Sequence, residues 1–269
     1  MFVELFELAC GLSPSMRRFF EKSMYQMWSA LDKEAVMVYM NLGYADLDPD
    51  AQELELRAED EMNRYCIQLY QHVAGAIDLK GLDVLEVGCG RGGGASYIMR
   101  YLKPTSMIGV DISDKAIAFC KLYHSVEGLC FLRGDAESLP FEDNTFDAVI
   151  NIESSHCYGS MERFLAEVYR VLRPQGYFLL SDHYSPERSE TLQQQLSNSC
   201  LEVLKEARIN ANVLKALDLD HERKLRLIEN KVPSLLKKPF QEFAGLRGTE
   251  PYEVLRTGAR EYRSFILRK

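Results

Sequence analysis

The stretch Val84-Leu85-Glu86-Val87-Gly88-Cys89-Gly90-Arg91-Gly92-Gly93 decides the fold, because an apolar run leads directly into a glycine-rich turn. The apolar run predicts a buried strand, and a helical pattern begins after the glycines. Gly88, Gly90 and Gly93 also fit the pattern G-x-G-x-x-G, whose glycines let the backbone turn tightly and approach a ligand. The pattern alone is weak, so its meaning depends on the residues that follow it.

Short apolar runs alternate with helical segments after this turn. Strands are predicted at 83–87, 107–111, 129–133, 146–152 and 177–182, with helices at 92–103, 114–124 and 160–172 between them. This alternation predicts a parallel sheet covered by helices on both faces. From residue 186 to about 240 the helical period returns without a strand pattern, and alternation at 242–247 and 262–267 predicts two further strands. Before the sheet, helices are predicted at 16–31 and 34–42.

Composition and charge exclude several classes of protein. The 269 residues are 46% hydrophobic and 27% charged, which excludes a disordered chain. The formal net charge of −8 disfavours nucleic acid as a partner, and the apolar N-terminal run is interrupted by Glu4 and Glu7, so no membrane span is predicted. Seven cysteines without a Cys-x-x-Cys pair argue against a disulfide framework or a zinc site. A reduced, cytoplasmic protein is expected.

Acidic side chains near the strand ends indicate the kind of ligand. The strand after the glycine turn ends at Asp111, where a carboxylate can accept hydrogen bonds from both ribose hydroxyls of an adenosine. A pyrophosphate would meet like charges here, with Arg91 as the nearby cation and no P-loop lysine. S-adenosylmethionine carries an adenosine, a sulfonium and an ammonium without a phosphate, and therefore fits better. The acidic residues predicted at the strand ends are Glu86, Asp111, Asp135 and Glu153.

Five stretches in order resemble the motifs of the class I S-adenosylmethionine-dependent methyltransferases. They are Glu86-Val-Gly-Cys-Gly-Arg-Gly, Gly109-Val-Asp111-Ile-Ser, Gly134-Asp135-Ala136-Glu137-Ser-Leu-Pro-Phe141, Phe146-Asp-Ala-Val-Ile-Asn151 and Leu172-Arg-Pro-Gln-Gly176. The resemblance covers roughly residues 80 to 182. It implies an α/β fold with a Rossmann-like seven-stranded sheet, mostly parallel with an antiparallel last strand, together with a helical cap.

Within this class the chain is similar to the phthiotriolone dimycocerosate methyltransferases, which methylate hydroxyls of long-chain polyketide lipids. The similarity rests on Met62-Asn-Arg64, Gly92-Gly-Gly-Ala-Ser-Tyr97, Glu153-Ser-Ser-His-Cys-Tyr158 and Arg208-Ile-Asn-Ala211. A more distant similarity extends to antibiotic-sugar O-methyltransferases and to sterol and tocopherol C-methyltransferases. The resemblance implies a hydrophobic small-molecule acceptor, such as a polyketide or another secondary metabolite.

The resemblance also implies roles for individual cofactor-binding residues. Glu86 would bind the methionyl end through the turn, and Gly88 and Gly90 would let the backbone approach it. Asn151 would offer its backbone carbonyl to the methionyl ammonium. The nucleoside would be held by residues after the second and third strands, with Asp111 on the ribose, Ile112 on the adenine ring and both Asp135 and Ala136 at the adenine amino group.

The chemistry predicts a base beside the transferred methyl group. An alcohol acceptor loses its proton as the new bond forms, and imidazole is the side chain best suited to accept it near neutral pH. The resemblance to the sugar enzymes implies His156 as the base with Asp182, and Glu153 as a further orienting carboxylate. His183 is a rival base and a candidate substrate contact. Three convergent oxygen ligands for magnesium cannot be assembled from the sequence, so catalysis without a metal is predicted.

Four regions are predicted along the chain. They are an N-terminal helical lid at 1–65, a Rossmann-like core at 66–185, a helical cap insertion at 186–240 and strands at 241–269 that complete the core sheet. The methionine- and aromatic-rich N-terminus predicts an apolar acceptor pocket with Tyr25 and Trp28 in its wall. Packing of this stripe on the sheet, or on a second subunit in a homo-oligomer, is the alternative.

Several alternatives to a hydroxyl-directed O-methyltransferase stay open from the sequence. In a C-methyltransferase acting on an alkene or enol, acidic residues would stabilise a carbocation instead of His156 removing a proton. A nicotinamide-dependent oxidoreductase shares the glycine pattern, and a module could bind S-adenosylmethionine without using it. The acceptor could be free or bound to a carrier.

Overall fold

A computed structural model describes residues 37–269 of the chain. The predicted helix at 16–31 and the start of the one predicted at 34–42 lie outside this range. Residues 37–42 are not helical, so the second of these predictions is wrong over the part that can be compared. Along the described chain, no helix combines the length and apolar character needed to cross a bilayer.

One seven-stranded sheet forms the centre of the described protein. Its strands run in the order β3-β2-β1-β4-β5-β7-β6, and β7 lies antiparallel to both of its neighbours while the other pairs are parallel. The predicted seven-stranded, mostly parallel sheet is therefore confirmed. The strands are β1 (Asp83–Val87), β2 (Ser106–Asp111), β3 (Leu129–Arg133), β4 (Phe146–Ile152), β5 (Leu172–Tyr184), β6 (Glu202–Arg208) and β7 (Glu261–Arg268).

Helices connect the strands and cover the sheet. Three of them begin at a serine whose hydroxyl accepts the backbone N–H three residues later, which stabilises the first turn: Ser113, Ser160 and Ser185. The helices are α1 (Arg64–Ala74), α2 (Gly93–Tyr97) with a π-helical turn (Ile98–Leu102), α3 (Asp114–Tyr123), α4 (Met161–Val171), α5 (Pro186–Asn198), α6 (Asn210–Lys231), α7 (Lys237–Phe243) and α8 (Glu250–Thr257).

Two predictions for the C-terminal third are wrong. The region from 186 to 240 is interrupted by β6, and the strand predicted at 242–247 is absent because α7 and a turn occupy those residues. Val203 and Leu204 of β6 fit a helical stripe, yet both are 42% exposed. Pairing with β7 determines their conformation. Leu246, within the predicted strand, instead packs together with Phe240 and with Ile228 of α6 in a small apolar cluster.

The sheet places the carboxyl ends of its parallel strands along one edge. Large apolar clusters cover its two faces, one packed against α1, α2 and α6 and the other against α4 and α5. Because β1 and β4 are buried on both faces, their sequences are nearly continuous apolar runs, which explains why they could be predicted closely. In open α/β sheets this edge is where ligands bind.

Candidate active site

The glycine turn forms the floor of a cavity at the strand ends. The backbone N–H groups of Gly88 and Cys89 both donate to the Val110 carbonyl, at 2.8 and 3.0 Å. Gly88 has φ +77°, and a Cβ at this position would lie 2.1 Å from Ser154 Oγ. Both its conformation and its surroundings therefore require glycine. Gly90 is also left-handed, with φ +52°.

The cavity encloses about 1160 Å³ including its open mouth. Besides the glycine turn, residues 38–41 and the ends of β2 and β4 form its walls. The predicted site residues that line it are Gly88, Gly90, Asp111, Ile112, Asp135, Ala136 and Glu153.

Asp111 connects the glycine turn to the end of β2. Its Oδ2 accepts the Gly90 N–H at 2.9 Å, and its Oδ1 accepts the Ser113 N–H at 2.8 Å. Burial raises the pKa of Asp111, although these N–H groups act in the opposite direction. The carboxylate is thus held rigidly at the cavity wall, in a position suited to accepting hydrogen bonds from ribose hydroxyls.

The loop after β3 supplies another wall. Asp135 Oδ1 accepts the N–H of Glu137 at 3.0 Å, which closes a tight turn, and Ala136 is buried beside it. Ile112 keeps 38% of its surface exposed although it is a large apolar residue. Ile112 offers an apolar surface and the turn at Asp135 offers polar groups, and an adenine ring requires both an apolar contact on its face and polar contacts at its edge.

Glu86 lies beneath the glycine turn instead of in the cavity wall. It is only 1% exposed, and its Oε1 accepts the hydroxyl of Tyr70 at 2.6 Å. Burial raises its pKa to about 7, against the opposing effect of the Tyr70 hydrogen bond. Tyr70 itself lines the cavity. The sequence analysis did not identify this tyrosine as a site residue.

Asn151 is fully buried and does not line the cavity. Its Nδ2 lies 2.8 Å from the Val87 carbonyl, 2.8 Å from Ser154 Oγ and 2.9 Å from the Tyr158 hydroxyl. The side chain therefore connects the end of β1 to the loop after β4. The role expected for its backbone carbonyl stays a prediction.

His156, in the loop after β4, forms a hydrogen-bonded pair with Asp182 near the end of β5. His156 Nδ1 lies 2.7 Å from Asp182 Oδ1. Asp182 is completely buried, and its Oδ2 accepts the backbone N–H of His156 at 2.9 Å and the Ser155 hydroxyl at 2.7 Å. The charge of Asp182 raises the pKa of His156 well above its usual value despite burial, and His156 in turn lowers the pKa of Asp182.

His183 stacks on His156, with ring centroids 4.7 Å apart. Its backbone N–H donates to Asp182 Oδ1 at 2.7 Å, so both histidines are anchored to one carboxylate. Burial, followed by the charge of His156, lowers the pKa of His183 to about 3. The two histidines therefore differ, since His156 favours its protonated form and His183 stays neutral.

These three residues also offer ligand atoms within 4.8 Å of one another, close enough to consider a metal ion. Asp182 is already saturated, because each of its oxygens accepts two hydrogen bonds. A metal would have to displace some of these donors. The arrangement fits an oriented histidine better, and catalysis without a metal stays a prediction.

Glu153 is the predicted catalytic residue that does line the cavity. Its backbone adopts φ +46°, an uncommon conformation for a residue with a side chain. Its Oε1 accepts the hydroxyl of Tyr262 at 2.6 Å and the backbone N–H of Leu42 at 2.7 Å. Burial raises the pKa of Glu153 to about 7.

The structure thus brings the predicted residues together in two groups. One group lines the cavity. The other consists of His156, in the loop after β4, with Asp182 and His183 of β5, and these three residues do not contribute to the cavity wall. Tyr25 and Trp28 lie outside the described residues. Sequence reasoning missed Tyr158, whose hydroxyl lies 2.9 Å from Asn151 Nδ2, and Tyr262, whose hydroxyl donates to Glu153. It also missed the short segment 38–41 in the cavity wall.

Comparison with known proteins identifies the family. Residues 85–180 match a methyltransferase domain. A phthiotriol/phenolphthiotriol dimycocerosates methyltransferase of Mycobacterium tuberculosis is 40% identical over 252 residues, covering 92% of this chain and 93% of the relative. A fatty-acid O-methyltransferase of Mycolicibacterium smegmatis is 38% identical, covering 93% of this chain and 89% of the relative.

A solved structure supports the same conclusion at the level of fold. Geranyl diphosphate C-methyltransferase from Streptomyces coelicolor, in complex with S-adenosyl-L-homocysteine, superposes with a TM-score of 0.64 at 16% identity, covering 91% of this chain and 97% of its own. The sheet order, the cavity at its edge and these relatives agree, and the cofactor is S-adenosylmethionine. The chain belongs to the class I S-adenosylmethionine-dependent methyltransferases.

Proposed function

We propose that this enzyme transfers the methyl group of S-adenosylmethionine to a hydroxyl of a hydrophobic small molecule, such as a polyketide or a related lipid, with His156 as the base. The observation that carries the proposal is the hydrogen-bonded pair of His156 and Asp182. His156 follows the cavity residue Glu153 by three positions along the chain. The two relatives named above, a phthiotriol dimycocerosates enzyme and a fatty-acid O-methyltransferase, support a lipid acceptor and transfer to oxygen.

When bound, the cofactor supplies a methyl group already activated by its sulfonium. The chain's own task is therefore alignment and proton removal. The Asp182 carboxylate accepts the Nδ1–H of His156, which leaves Nε2 as the nitrogen that can take the hydroxyl proton. The same carboxylate then stabilises the imidazolium. The side chain of His156 is 20% exposed.

A region beyond the cofactor cavity completes the proposal. The N-terminal lid, with Tyr25 and Trp28, would enclose the acceptor and exclude water from the sulfonium. A truncation lacking residues 1–36 that still folds should bind the cofactor and lose most of its turnover. Unchanged turnover would remove the lid from the proposal.

A second function, methylation at carbon, is favoured by one observation. Glu153 lines the cavity and His156 does not, so the predicted catalytic residue in the cavity wall is a carboxylate. A carboxylate can stabilise a cation that forms when an alkene attacks the methyl group. This would place the enzyme nearer to the sterol and tocopherol type.

The acceptor chemistry can be tested with a labelled methyl group and a matched series of long-chain compounds: a secondary alcohol, a phenol, a fatty acid and an alkene. The chemical shift of a ¹³C methyl group distinguishes an ether, an ester and a C-methyl product. We expect an ether from the alcohol or the phenol. Labelling of the alkene carbon alone would support the second function.

His156→Ala in the same assay separates two kinds of O-methylation. A hydroxyl needs a base, whereas a fatty acid with a pKa of ~4–5 is already ionised near neutral pH. The substitution should therefore lower methylation of the alcohol by ~10²-fold and leave any methylation of the fatty acid nearly unchanged. Equal loss with both acceptors would contradict the role of His156 as a base.

A further inference from the structure

A short segment without helix or strand crosses the molecule beside the cavity. We call residues 37–45 the strap. Its end is fixed to two helices, because the Tyr44 N–H donates to the Tyr65 carbonyl at 2.9 Å and the Ala45 N–H donates to the Asn212 carbonyl at 3.1 Å. Asn212 Nδ2 returns a hydrogen bond to the Ala45 carbonyl at 3.0 Å. The end of the strap is therefore held by hydrogen bonds to both α1 and α6.

The strap forms one wall of the cofactor cavity. Four of its residues line the cavity, and it lies directly against the glycine turn: Val38, Tyr39, Met40 and Asn41. A Cβ on Gly93 would lie 2.8 Å from the Val38 carbonyl oxygen, and one on Gly90 would lie 3.6 Å from Met40 Sδ. A cofactor held at this turn therefore has the strap as a direct neighbour.

Glu153 holds the middle of the strap from the opposite wall. Its Oε1 accepts the Leu42 N–H at 2.7 Å, a contact between residues 111 positions apart. The hydroxyl of Tyr262, a fully buried residue of β7, donates to the same oxygen at 2.6 Å. The left-handed backbone of Glu153 is costly for a residue with a Cβ, so the surrounding contacts must stabilise it.

We propose that Glu153 is a positioning residue that fastens the strap across the bound cofactor and so limits the rate at which the cofactor product leaves. Tyr262 holds the carboxylate in place for this contact. The proposal depends on the cofactor site alone and does not require the acceptor chemistry proposed above. In this role Glu153 acts through its hydrogen bond to the Leu42 N–H.

The test uses the full chain with S-adenosylhomocysteine and no acceptor. Glu153→Ala removes the acceptor of the Leu42 hydrogen bond, whereas Glu153→Gln keeps an oxygen in the same place. We expect Glu153→Ala to release S-adenosylhomocysteine at least ~10-fold faster in stopped-flow displacement, and Glu153→Gln to stay within ~3-fold of the native rate. Hydrogen exchange of the Leu42 amide should accelerate in the alanine variant and be restored by glutamine.

Two tyrosine variants supply a matched comparison if Glu153→Ala does not fold. Tyr262→Phe removes the hydroxyl that holds Glu153, and Tyr252→Phe removes one that donates to Asp218 on α6. The first should accelerate both Leu42 exchange and product release, and the second should change neither. The proposal is overturned if Glu153→Ala or Tyr262→Phe accelerates exchange of the Leu42 amide without faster release of S-adenosylhomocysteine. It is also overturned if either variant loses turnover while the Leu42 exchange rate and the release rate stay unchanged. Loss of the proposed base function, tested by His156→Ala, would leave these readouts as predicted.

Discussion

The cofactor side and the base side of the site are built from different kinds of contact. On the cofactor side, backbone groups of neighbouring loops meet Asp111 and Asp135, and the hydrogen-bonded partners lie within about 25 residues of one another. On the base side, His156 is joined to Asp182 and Glu153 to Tyr262, by side chains 26 and 109 residues apart. The first side depends on local chain geometry, and the second exists only once the whole sheet has formed.

This difference predicts how each side responds to substitution. A change in the glycine turn should remove cofactor binding at once, because the backbone itself forms the site. A change at His156 or Asp182 should leave the cofactor in place and alter the rate or its pH dependence, because His156 is proposed to act on the acceptor. The following substitutions test that separation.

Gly88→Ala should have the largest effect. A Cβ at Gly88 would lie 2.1 Å from Ser154 Oγ, whereas a Cβ at Gly81, with a similar φ of +80°, would have no described atom within 4 Å. Gly88→Ala therefore adds a clash to the backbone cost and should weaken S-adenosylhomocysteine binding ~1000-fold. Gly81→Ala should bind normally in calorimetry. Near-native affinity in Gly88→Ala would show that the turn does not form the cofactor floor.

His156→Ala should lower turnover of a hydroxyl acceptor by ~10²-fold with cofactor affinity unchanged. Because the base must be neutral to accept a proton, native activity should fall as the pH decreases through the raised pKa of His156. Asp182→Asn removes the charge that raises this pKa and should move the acidic limb of the profile to lower pH. A limb that does not move in the asparagine variant would assign it to another group.

Glu86→Gln should stabilise the fold while weakening the cofactor site. The folded pKa of Glu86 is about 7 against an ordinary value of 4.5, so the unfolded chain ionises first and stability decreases as the pH rises between these values. The glutamine variant avoids this loss and should gain about 3 kcal/mol in the free energy of unfolding at pH 8, and less than about 1 kcal/mol at pH 5. Urea denaturation at both pH values measures the difference. An equal gain at both would contradict the assignment.

His183→Phe should have the smallest effect. The pKa of His183 is lowered to about 3, so its ring is neutral throughout the working pH range and phenylalanine can preserve the stack on His156. Turnover should change by less than ~3-fold, and the pH profile should keep its shape. A ~10²-fold loss comparable to that of His156→Ala would make His183 the base.

The sequence predicts the parts of the molecule that depend on local chain geometry better than the parts that depend on contacts between distant residues. The first four strands were predicted within one residue. Burial on both faces gives β1 and β4 nearly continuous apolar runs, whereas β3 has several exposed residues and is marked by its short apolar run alone. Val203 and Leu204 were placed in a helix, since β6 is an exposed edge strand whose conformation depends on β7. Leu42 and Tyr262 lie far from Glu153 in sequence, and no local pattern marks residues that meet only in the folded sheet.

The position of β7 between β5 and β6 also affects the newly made chain. Neither β5 nor β6 can form its antiparallel ladder until residues 261–268 have been synthesised, about 50 residues after β6. At ~5–20 residues per second of translation, β6 waits roughly 3 to 10 s with both edges unpaired. Unpaired strand edges are templates for aggregation. Yield in cells should therefore depend on how quickly ribosomes traverse the codons between β6 and β7.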